Sequence, residues 1–238
     1  MAADTKKQKL TKVTSPKGTF KFPKLNTPDT KFKAEGEYGV RLIVPAEEAE
    51  PIIAQLKAEA EERFEETKEA LTAKVAEEKG EKKAKAKKEL ENLKMADLPV
   101  KDCVDDDGEP NGDIEINFKM KAQRTDKATG KIIKMAPKFF DAKGKELKGA
   151  AIPQVWGGTV GYVAGSIVPF YTAAVGAGAS LRLAAVQIIE LVTAGGGNAD
   201  SFGFGKDEDG YEADESPAES EGFSDQSPAG EAGEDDDF

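Results

Sequence analysis

One long segment with helical spacing interrupts an otherwise strand-like sequence, and it restricts the folds open to this chain. Residues 46–94 are rich in Ala, Glu, Lys and Leu, and their apolar residues recur at intervals close to a helical turn. Gly80 interrupts the pattern, which predicts a long amphipathic helix followed by a second, more charged one. Because helical and strand-like segments do not alternate along the chain, a doubly wound parallel sheet is disfavoured.

Five other segments have the composition or alternation of β-strands. Glu37–Val44 is interpreted as the first, and Pro45 ends it. The remaining four are 113–123, 131–140, 157–170 and 181–192, although the continuous apolar run of 181–192 is also compatible with a short buried helix. Five strands and a single helical insertion predict a mainly β protein, built on a small closed or partly open barrel.

The two ends of the chain differ in composition from this central part. Residues 1–35 mix Lys, Thr and Pro around the short alternating run Thr19–Phe22, which predicts an N-terminal arm, much of it mobile. The glycines at 195–197 end the predicted domain, residues 36–197. Beyond them, residues 198–238 are too polar to bury a core, so a disordered acidic tail is predicted.

The formal net charge of −11 is distributed unevenly. Asp207–Phe238 holds 14 acidic residues and neither Lys nor Arg, which leaves 34 basic and 31 acidic residues in the remainder. Residues 46–94 hold 14 acidic and 11 basic residues, so the rest of the body carries +6. Ten basic residues lie between Asn117 and Lys148. Such a basic stripe is either a solvated face or a surface for a polyanion.

The residue types that several chemistries require are scarce or missing. The sequence has no His and one Cys, Cys103, which excludes an intramolecular disulfide and disfavours a zinc site or a His-activated nucleophile. Its glycine pairs lack the Lys-Ser/Thr of a P-loop. Asp105–Asp107 lacks the spacing of a calcium loop, so a solvated loop is favoured. We therefore predict no catalytic residue, no metal, no cofactor and no enzymatic activity.

The sequence also gives no sign of a membrane location. No stretch approaches the ~20 apolar residues of a membrane span, and Met1–Leu10 lacks the apolar core of a secretion signal. Together with the lone cysteine, this predicts a soluble cytoplasmic protein without a membrane partner.

Binding of single-stranded nucleic acid requires cations for the backbone and flat rings for unstacked bases. The candidate cations are Lys119, Lys121, Arg124, Lys134 and Lys138. The candidate rings are Phe139, Phe140, Trp156, Tyr162, Phe170 and Tyr171, and four of them, Phe139, Tyr162, Phe170 and Tyr171, are assigned to the DNA-binding site. For any one ring the core is the more frequent place. Neighbouring residues of a strand point to opposite faces, however, so one ring of Phe139-Phe140 and one of Phe170-Tyr171 are predicted to be exposed.

Several short motifs allow a comparison with known protein families. They are Gly36–Pro45, Phe118-Lys119, Asp126-Lys127, Asp141–Lys145, Val168-Pro169-Phe170, Ala174–Ala177 and Glu190–Gly197. The most specific is the acidic ending closed by an aromatic residue, Glu234-Asp235-Asp236-Asp237-Phe238. On these residues the chain resembles the single-stranded DNA-binding proteins of short-tailed phages of the T-odd type.

This resemblance implies an OB-fold barrel with a long helix between early strands. It implies a protein that coats single strands in the host cytoplasm during phage DNA replication, recombination and repair. It further implies that Glu234–Phe238 recruits the phage DNA polymerase and helicase-primase, and that a homodimer is plausible.

The resemblance also assigns roles to individual positions. Lys119 matches a family lysine, and Phe170 stands where the family has a strand-binding tyrosine. Glu35 and Lys121 stand where the family has an arginine and a tyrosine, so the contact set is expected to have moved. The run Lys31–Lys33 is a candidate replacement.

Two further expectations concern the tail and the rival function. A chain of 14 negative charges that ends in a ring imitates the strand, so the tail is expected to compete with DNA for the groove; the alternative is a tail that only keeps the protein soluble. The alternative is an acidic-tailed scaffold or chaperone-like protein that binds basic partners and no nucleic acid. Duplex binding, and a nuclease that uses Asp105–Asp107, are less favoured variants.

Overall fold

The structure, a computed structural model, describes residues 10–105, 107–126 and 128–193. The strands are β1 (Lys12–Thr14), β2 (Gly18–Asp29), β3 (Glu37–Pro45), β4 (Val100–Val104), β5 (Pro110–Lys121), β6 (Gln123–Thr125), β7 (Ile132–Lys134), β8 (Lys138–Phe140), β9 (Glu146–Leu147), β10 (Val160–Thr172) and β11 (Gly176–Glu190). The helices are α1 (Ala46–Glu77) and α2 (Gly80–Glu91), with a 3₁₀ turn at Gly149–Ala151. The predicted tail, 198–238, lies outside the described residues.

Five strands pair in a closed ring. β2 pairs with β3, and β3 with β5, both antiparallel. β5 then pairs with β11 in parallel, β11 pairs antiparallel with β10, and β10 returns antiparallel to β2. A ring of five strands closed by one parallel pair is an OB-like barrel. The predicted fold class, mainly β with a helical insertion, is confirmed.

The helical insertion follows the sequence prediction. α1 begins directly after Pro45 and buries Ile52, Leu56 and Ala60 against β10 and β11. α2 begins at Gly80, whose φ of +60° is accessible to glycine without strain, and it packs on α1. No helix of the described ranges is long and apolar enough to cross a membrane.

The assignment of the first barrel strand is wrong. β2 precedes β3 in the ring, and it lies within residues 1–35, so the predicted arm is too long. Phe20 and Leu25 of β2 are buried in the core, at 0% and 2% exposure. The sequence did not predict this strand because Pro23 interrupts it, and proline is rare inside strands. The structure places Pro23 at a register shift between Lys21 and Lys24, where a missing N–H breaks no ladder bond.

The interpretation of residues 131–140 as one barrel strand is also wrong. β7 pairs with β6 in a separate two-stranded sheet, whereas β8 pairs with β9 and, in parallel, with β11. Pro137 separates the two pieces. The hairpin of β6 and β7 is therefore an extension of the barrel beyond β5, and β8 widens the sheet at β11.

Candidate nucleic-acid interface

A row of register partners crosses the outer face of the barrel. Lys24 lies opposite Gly39, and Gly39 lies opposite Lys119. Lys119 in turn lies beside Arg182, and Arg182 lies opposite Ser166. Register partners on neighbouring strands point to the same face, so the row aligns three cations on the surface of four strands, β2, β3, β5 and β11.

A groove of about 750 Å³ lies beside this row, and we call it the central groove. Its cationic lining is Lys119, Lys121, Arg124 and Arg182. Met120, Met135 and Val168 supply apolar surface. In the part of the chain that the structure describes, no carboxylate forms an ion pair with Lys119, Arg124 or Arg182. These three charges are therefore available to an anionic ligand.

A smaller groove of about 260 Å³ adjoins the central groove and shares Glu37, Asn117 and Lys119 with it. Two phenylalanine rings line this second groove, which we call the ring groove. Phe22 is 64% exposed and Phe32 is 85% exposed. Burial of such rings normally stabilises a fold, so their exposure beside a cationic row makes the ring groove a candidate binding surface.

The backbone at Phe22 explains why this ring faces outward. Its φ is +49°, the left-handed region that side chains rarely adopt, and no other non-glycine residue in the described ranges has a positive φ. The register shift between Lys21 and Lys24 contains it. Strained residues of this kind persist where the surrounding structure holds them, and they cluster at functional sites.

Two cations flank the Phe22 ring, and one carboxylate holds both of them. Lys21 Nζ and Arg41 Cζ lie 5.7 and 5.6 Å from the ring centroid. The Glu115 carboxylate forms ion pairs with Lys21 at 3.3 Å and with Arg41 at 3.1 Å. Arg41, one of the cations that line the ring groove, is therefore already paired with a carboxylate.

The comparison with known proteins bears on the whole barrel. The family model described as Single-stranded DNA-binding protein, Bacteriophage T7, matches residues 14–191. The chain belongs to this family. The family predicted from the sequence motifs is thus confirmed.

Individual relatives agree with this assignment. The single-stranded DNA-binding protein of Enterobacteria phage T3 is 37% identical over 109 residues, which cover 44% of this chain and 46% of the relative. That of Escherichia phage T7 is 36% identical over 137 residues, covering 54% and 58%. The chain spans about half the length of the curated relatives it matches. Both relatives are named for binding rather than for catalysis, in line with the prediction that this chain is not an enzyme.

A solved structure extends the likeness to the fold. The crystal structure of gp2.5, a single-stranded DNA-binding protein encoded by bacteriophage T7, superposes with a TM-score of 0.63 and 26% identity. The superposition covers 87% of this chain and 100% of that one. The likeness in fold therefore extends over most of the length of this chain.

The two positions that depart from the family pattern contact each other. Glu35 and Lys121 form an ion pair at 3.9 Å, at the end of β5. In this chain a carboxylate and a lysine thus stand together where the resemblance implied an arginine and a tyrosine. The net charge contributed by the two positions is therefore about zero.

The structure brings three of the five predicted cations together. Lys119, Lys121 and Arg124 all line the central groove. Lys134 lies opposite Gln123, and the neighbouring Arg124 lies opposite Ile133. Because neighbouring residues of a strand point to opposite faces, Lys134 and Arg124 lie on opposite faces of the β6–β7 hairpin.

Lys138 belongs to another surface, the edge formed by β8 and β9. Its Nζ lies 3.2 Å from Glu146, which also pairs with Lys148 at 3.0 Å. Hydrogen bonds from Lys148 and Lys138 hold the pKa of Glu146 below its usual range. Lys138 is thus neutralised locally and takes no part in the central groove.

The predicted rings fall in different places. Phe139 is wrong as a stacking residue, because it is 3% exposed in the core, where its strand pairs with β11. Tyr162 is half-buried opposite Gln187, in the register row of Phe140 rather than that of Lys119. Neither Phe139 nor Tyr162 lines the central groove or the ring groove.

The other two predicted rings lie near the end of β10. Phe170 is half-buried and lies opposite Gly178. It is the next residue after Val168 whose side chain points outward from β10, and Val168 lines the central groove. Tyr171 points elsewhere, toward α2. Burial raises the pKa of the Tyr171 hydroxyl, and the neighbouring Glu89 carboxylate raises it further. Tyr171 therefore belongs to the packing between β10 and the helices.

Sequence reasoning missed four residues of the grooves. They are Phe22, Lys24, Arg41 and Arg182. Arg182 had a signal, because it is a cation between the apolar residues Leu181 and Leu183 of a predicted strand, and neighbouring residues of a strand point to opposite faces. Phe22 had none, since its spacing from Phe20 predicts that both rings point into the core.

Proposed function

We propose that this chain binds single-stranded DNA across the central and ring grooves, without marked sequence preference, during phage DNA replication and recombination. The observation that carries the proposal is the register row of Lys24, Lys119 and Arg182, which runs beside the exposed rings Phe22 and Phe32. Family membership and the names of the relatives support it. The activity is expected in the cytoplasm of the host cell.

The two grooves divide the recognition of the strand between them. Phosphates contact Lys119, Arg124 and Arg182, whose charges no described carboxylate neutralises. Bases stack on Phe22 and Phe32, and each stacked base contributes about 1 to 3 kcal/mol. Every nucleotide has a phosphate and every base a π-face, so sequence preference is weak.

Gly39 keeps the passage between the grooves open. It lies in the register row between Lys24 and Lys119, and it lines the ring groove. A side chain there would stand between the two cations, with its Cβ 3.3 Å from the carbonyl oxygen of Phe118. The missing side chain lets a strand pass over β3 at close range. Phe170, beyond Val168, is a further proposed contact at the other end of this path.

The test is a titration of fluorescent oligo-dT at two salt concentrations. Released counterions make log affinity fall with log salt, with a slope of roughly 0.7 per phosphate neutralised. Three to four phosphate contacts therefore predict a slope of roughly 2 to 3. A complex insensitive to salt would contradict the mechanism, and an acidic-tailed scaffold would ignore the oligonucleotide. Duplex DNA of the same sequence serves as the control ligand.

The acidic tail has a second proposed role. Asp207–Phe238 carries 14 carboxylates, no Lys or Arg, and a terminal phenylalanine, so it offers the anions and the ring that the grooves accept. We propose that it competes with DNA and, when displaced, recruits the phage DNA polymerase and helicase-primase through Glu234–Phe238. A homodimer that exchanges tails is a further proposal.

Removal of Asp207–Phe238 is expected to tighten single-strand binding and to abolish co-purification with the two replication enzymes. The matched control keeps the length of the tail and replaces its Asp and Glu by Asn and Gln. DNA affinity that is equal in the full and the shortened chains would contradict competition.

A further inference from the structure

A third groove of about 510 Å³ runs along β2 on the far side of Phe22, and we call it the side groove. One wall is β2 itself, from Phe22 to Asp29, and the other is the loop 154–157. The exposed ring of Trp156 lines it, together with Phe22. Trp156 is 44% exposed, although burial of a ring of this size normally stabilises a core or an interface.

The loop that carries Trp156 is anchored to β2. Asn26 Nδ2 donates a hydrogen bond to the Pro153 carbonyl at 2.8 Å. The backbone N–H of Val155 donates one to Asn26 Oδ1 at 2.9 Å. Val155 itself is 2% exposed and belongs to the core. The exposed ring is therefore presented from a fixed backbone.

A tight turn fixes the other end of the loop. Thr159 N–H donates to the Trp156 carbonyl at 3.3 Å, and Gly158 between them has a φ of +90°, the value that a type II turn needs at its third position. Gly158 N–H donates to the Phe20 carbonyl of β2 at 2.9 Å. Hydrogen bonds on both sides of Trp156 thus hold its backbone against β2.

The side groove is continuous with the ring groove. Phe22, Lys24 and Asp29 line both of them. Phe22 consequently stands at the junction, with one groove on each side. Lys24, the first cation of the register row, gives the junction a positive charge. Asp29 opposes this charge in part, although its Oδ1 accepts a hydrogen bond from the N–H of Lys31 at 2.8 Å.

We propose that the side groove is a second base-binding subsite, in which Trp156 and Phe22 stack bases of a single strand that continues past Lys24. This inference rests on the proposed function and assigns the far end of the DNA path. A short strand fills the central and ring grooves alone. A longer strand reaches Trp156 and gains a further stacking contact.

The fluorescence of Trp156 tests the proposal directly, because it is the single tryptophan of the chain. Full-length protein is titrated with oligo-dT of increasing length, and binding is measured in parallel by anisotropy of a dye on the oligonucleotide. The shortest strands that saturate by anisotropy are expected to leave tryptophan emission unchanged. Longer strands are expected to quench it.

Each other outcome has one meaning. Saturable binding with unchanged emission at every length overturns the side-groove subsite and leaves the proposed function intact. Quenching already complete with the shortest strand that binds also overturns it, because Trp156 would then lie on the central path. No binding by anisotropy at any length overturns the proposed function itself.

Variants provide a second readout that does not depend on fluorescence. Trp156→Ala is expected to weaken binding of long strands about tenfold and to leave short strands unaffected, as loss of one stacked base predicts. Trp156→Phe keeps a ring and restores most of the affinity. Val175→Ala, which shortens an exposed apolar residue of the β10–β11 turn, is the matched control. Equal loss for short and long strands would overturn the proposal.

Discussion

Two regions of the same basic stripe behave in opposite ways. In the central groove, Lys119 and Arg124 point outward beside Arg182 without a carboxylate partner among the described residues. At the β8–β9 edge, Glu146 holds both Lys138 and Lys148. Both pairs are cations of the stripe, but the two pairs differ in availability. An anion needs only to displace water from Lys119 and Arg124, whereas it must displace a carboxylate from Lys138 and Lys148.

The rings show the same contrast. Phe22 is exposed at a strained backbone position beside cations, while Phe139 is buried in the core. A candidate list drawn from residue type alone treats the two alike. The difference lies in exposure: the Phe22 ring is accessible to a ligand, whereas the Phe139 ring belongs to the core.

The largest change in DNA affinity is expected when the two cationic regions are compared by mutation. The double variant Lys119→Ala/Arg182→Ala removes two neighbours of the register row, and it is expected to lower the affinity for oligo-dT about a hundredfold at low salt, as loss of two charged contacts predicts. The salt slope should fall by roughly 1.4, which is 0.7 for each of two phosphates. Anisotropy titrations at several salt concentrations measure both.

The matched control for this experiment is Lys138→Ala/Lys148→Ala, which removes the same charge from the β8–β9 edge. Its affinity and slope should stay near those of the unaltered protein. Equal losses in the two double variants would show that only the total charge matters and would end the distinction between the regions.

The next comparison truncates the exposed ring and the buried ring in turn. Phe22→Ala is expected to weaken single-strand binding about tenfold through the loss of stacking, with little change in the free energy of unfolding. Phe139→Ala should instead lower the free energy of unfolding by about 3 to 5 kcal/mol, because it leaves a cavity in the core. Urea denaturation and oligonucleotide titration of both variants distinguish the roles.

Phe22→Tyr serves as the control that retains a ring, and it should bind nearly as the original does. If Phe139→Ala, measured where it is still folded, loses as much affinity as Phe22→Ala, the assignment of the stacking surface to the ring groove is incorrect.

A smaller effect is expected at the two bridging carboxylates. Glu115→Gln frees Lys21 and Arg41 beside the Phe22 ring, so affinity for oligo-dT should rise up to about fivefold, the range expected from partly exposed ion pairs. The salt dependence should become steeper. Glu146→Gln frees the two lysines of the β8–β9 edge and should leave DNA binding unchanged. Weaker binding by Glu115→Gln would mean that Glu115 positions these cations for DNA.

The smallest effect concerns Tyr171, whose hydroxyl faces α2. Tyr171→Phe should leave DNA affinity unchanged. Because the pKa of Tyr171 is raised above 10.0 in the folded state, its contribution to stability is present below pH 10 and is lost as pH rises further. The variant should therefore lose less stability between neutral and strongly alkaline pH than the original, as thermal unfolding over that range measures. A reduced DNA affinity would return Tyr171 to the binding surface.

The sequence alone determined the class of the fold and the family. Alternation at every second residue and the helical spacing of residues 46–94 are local patterns, so strands and helices could be assigned without knowing their neighbours. The motifs from Gly36 to Gly197 and the acidic ending are equally local. Lys119, Lys121 and Arg124 could be predicted together because they occupy one continuous segment that ends β5 and begins β6.

Only the tertiary structure decided which of these residues meet. Arg182 reaches Lys119 through the parallel pairing of β5 with β11, strands separated by more than 50 residues. The positive φ of Phe22 reverses the face that alternation predicts, and β2 joins the ring despite Pro23. Register, backbone strain and ion pairing depend on contacts between distant segments. A binding surface made from such contacts is fixed only when the barrel closes.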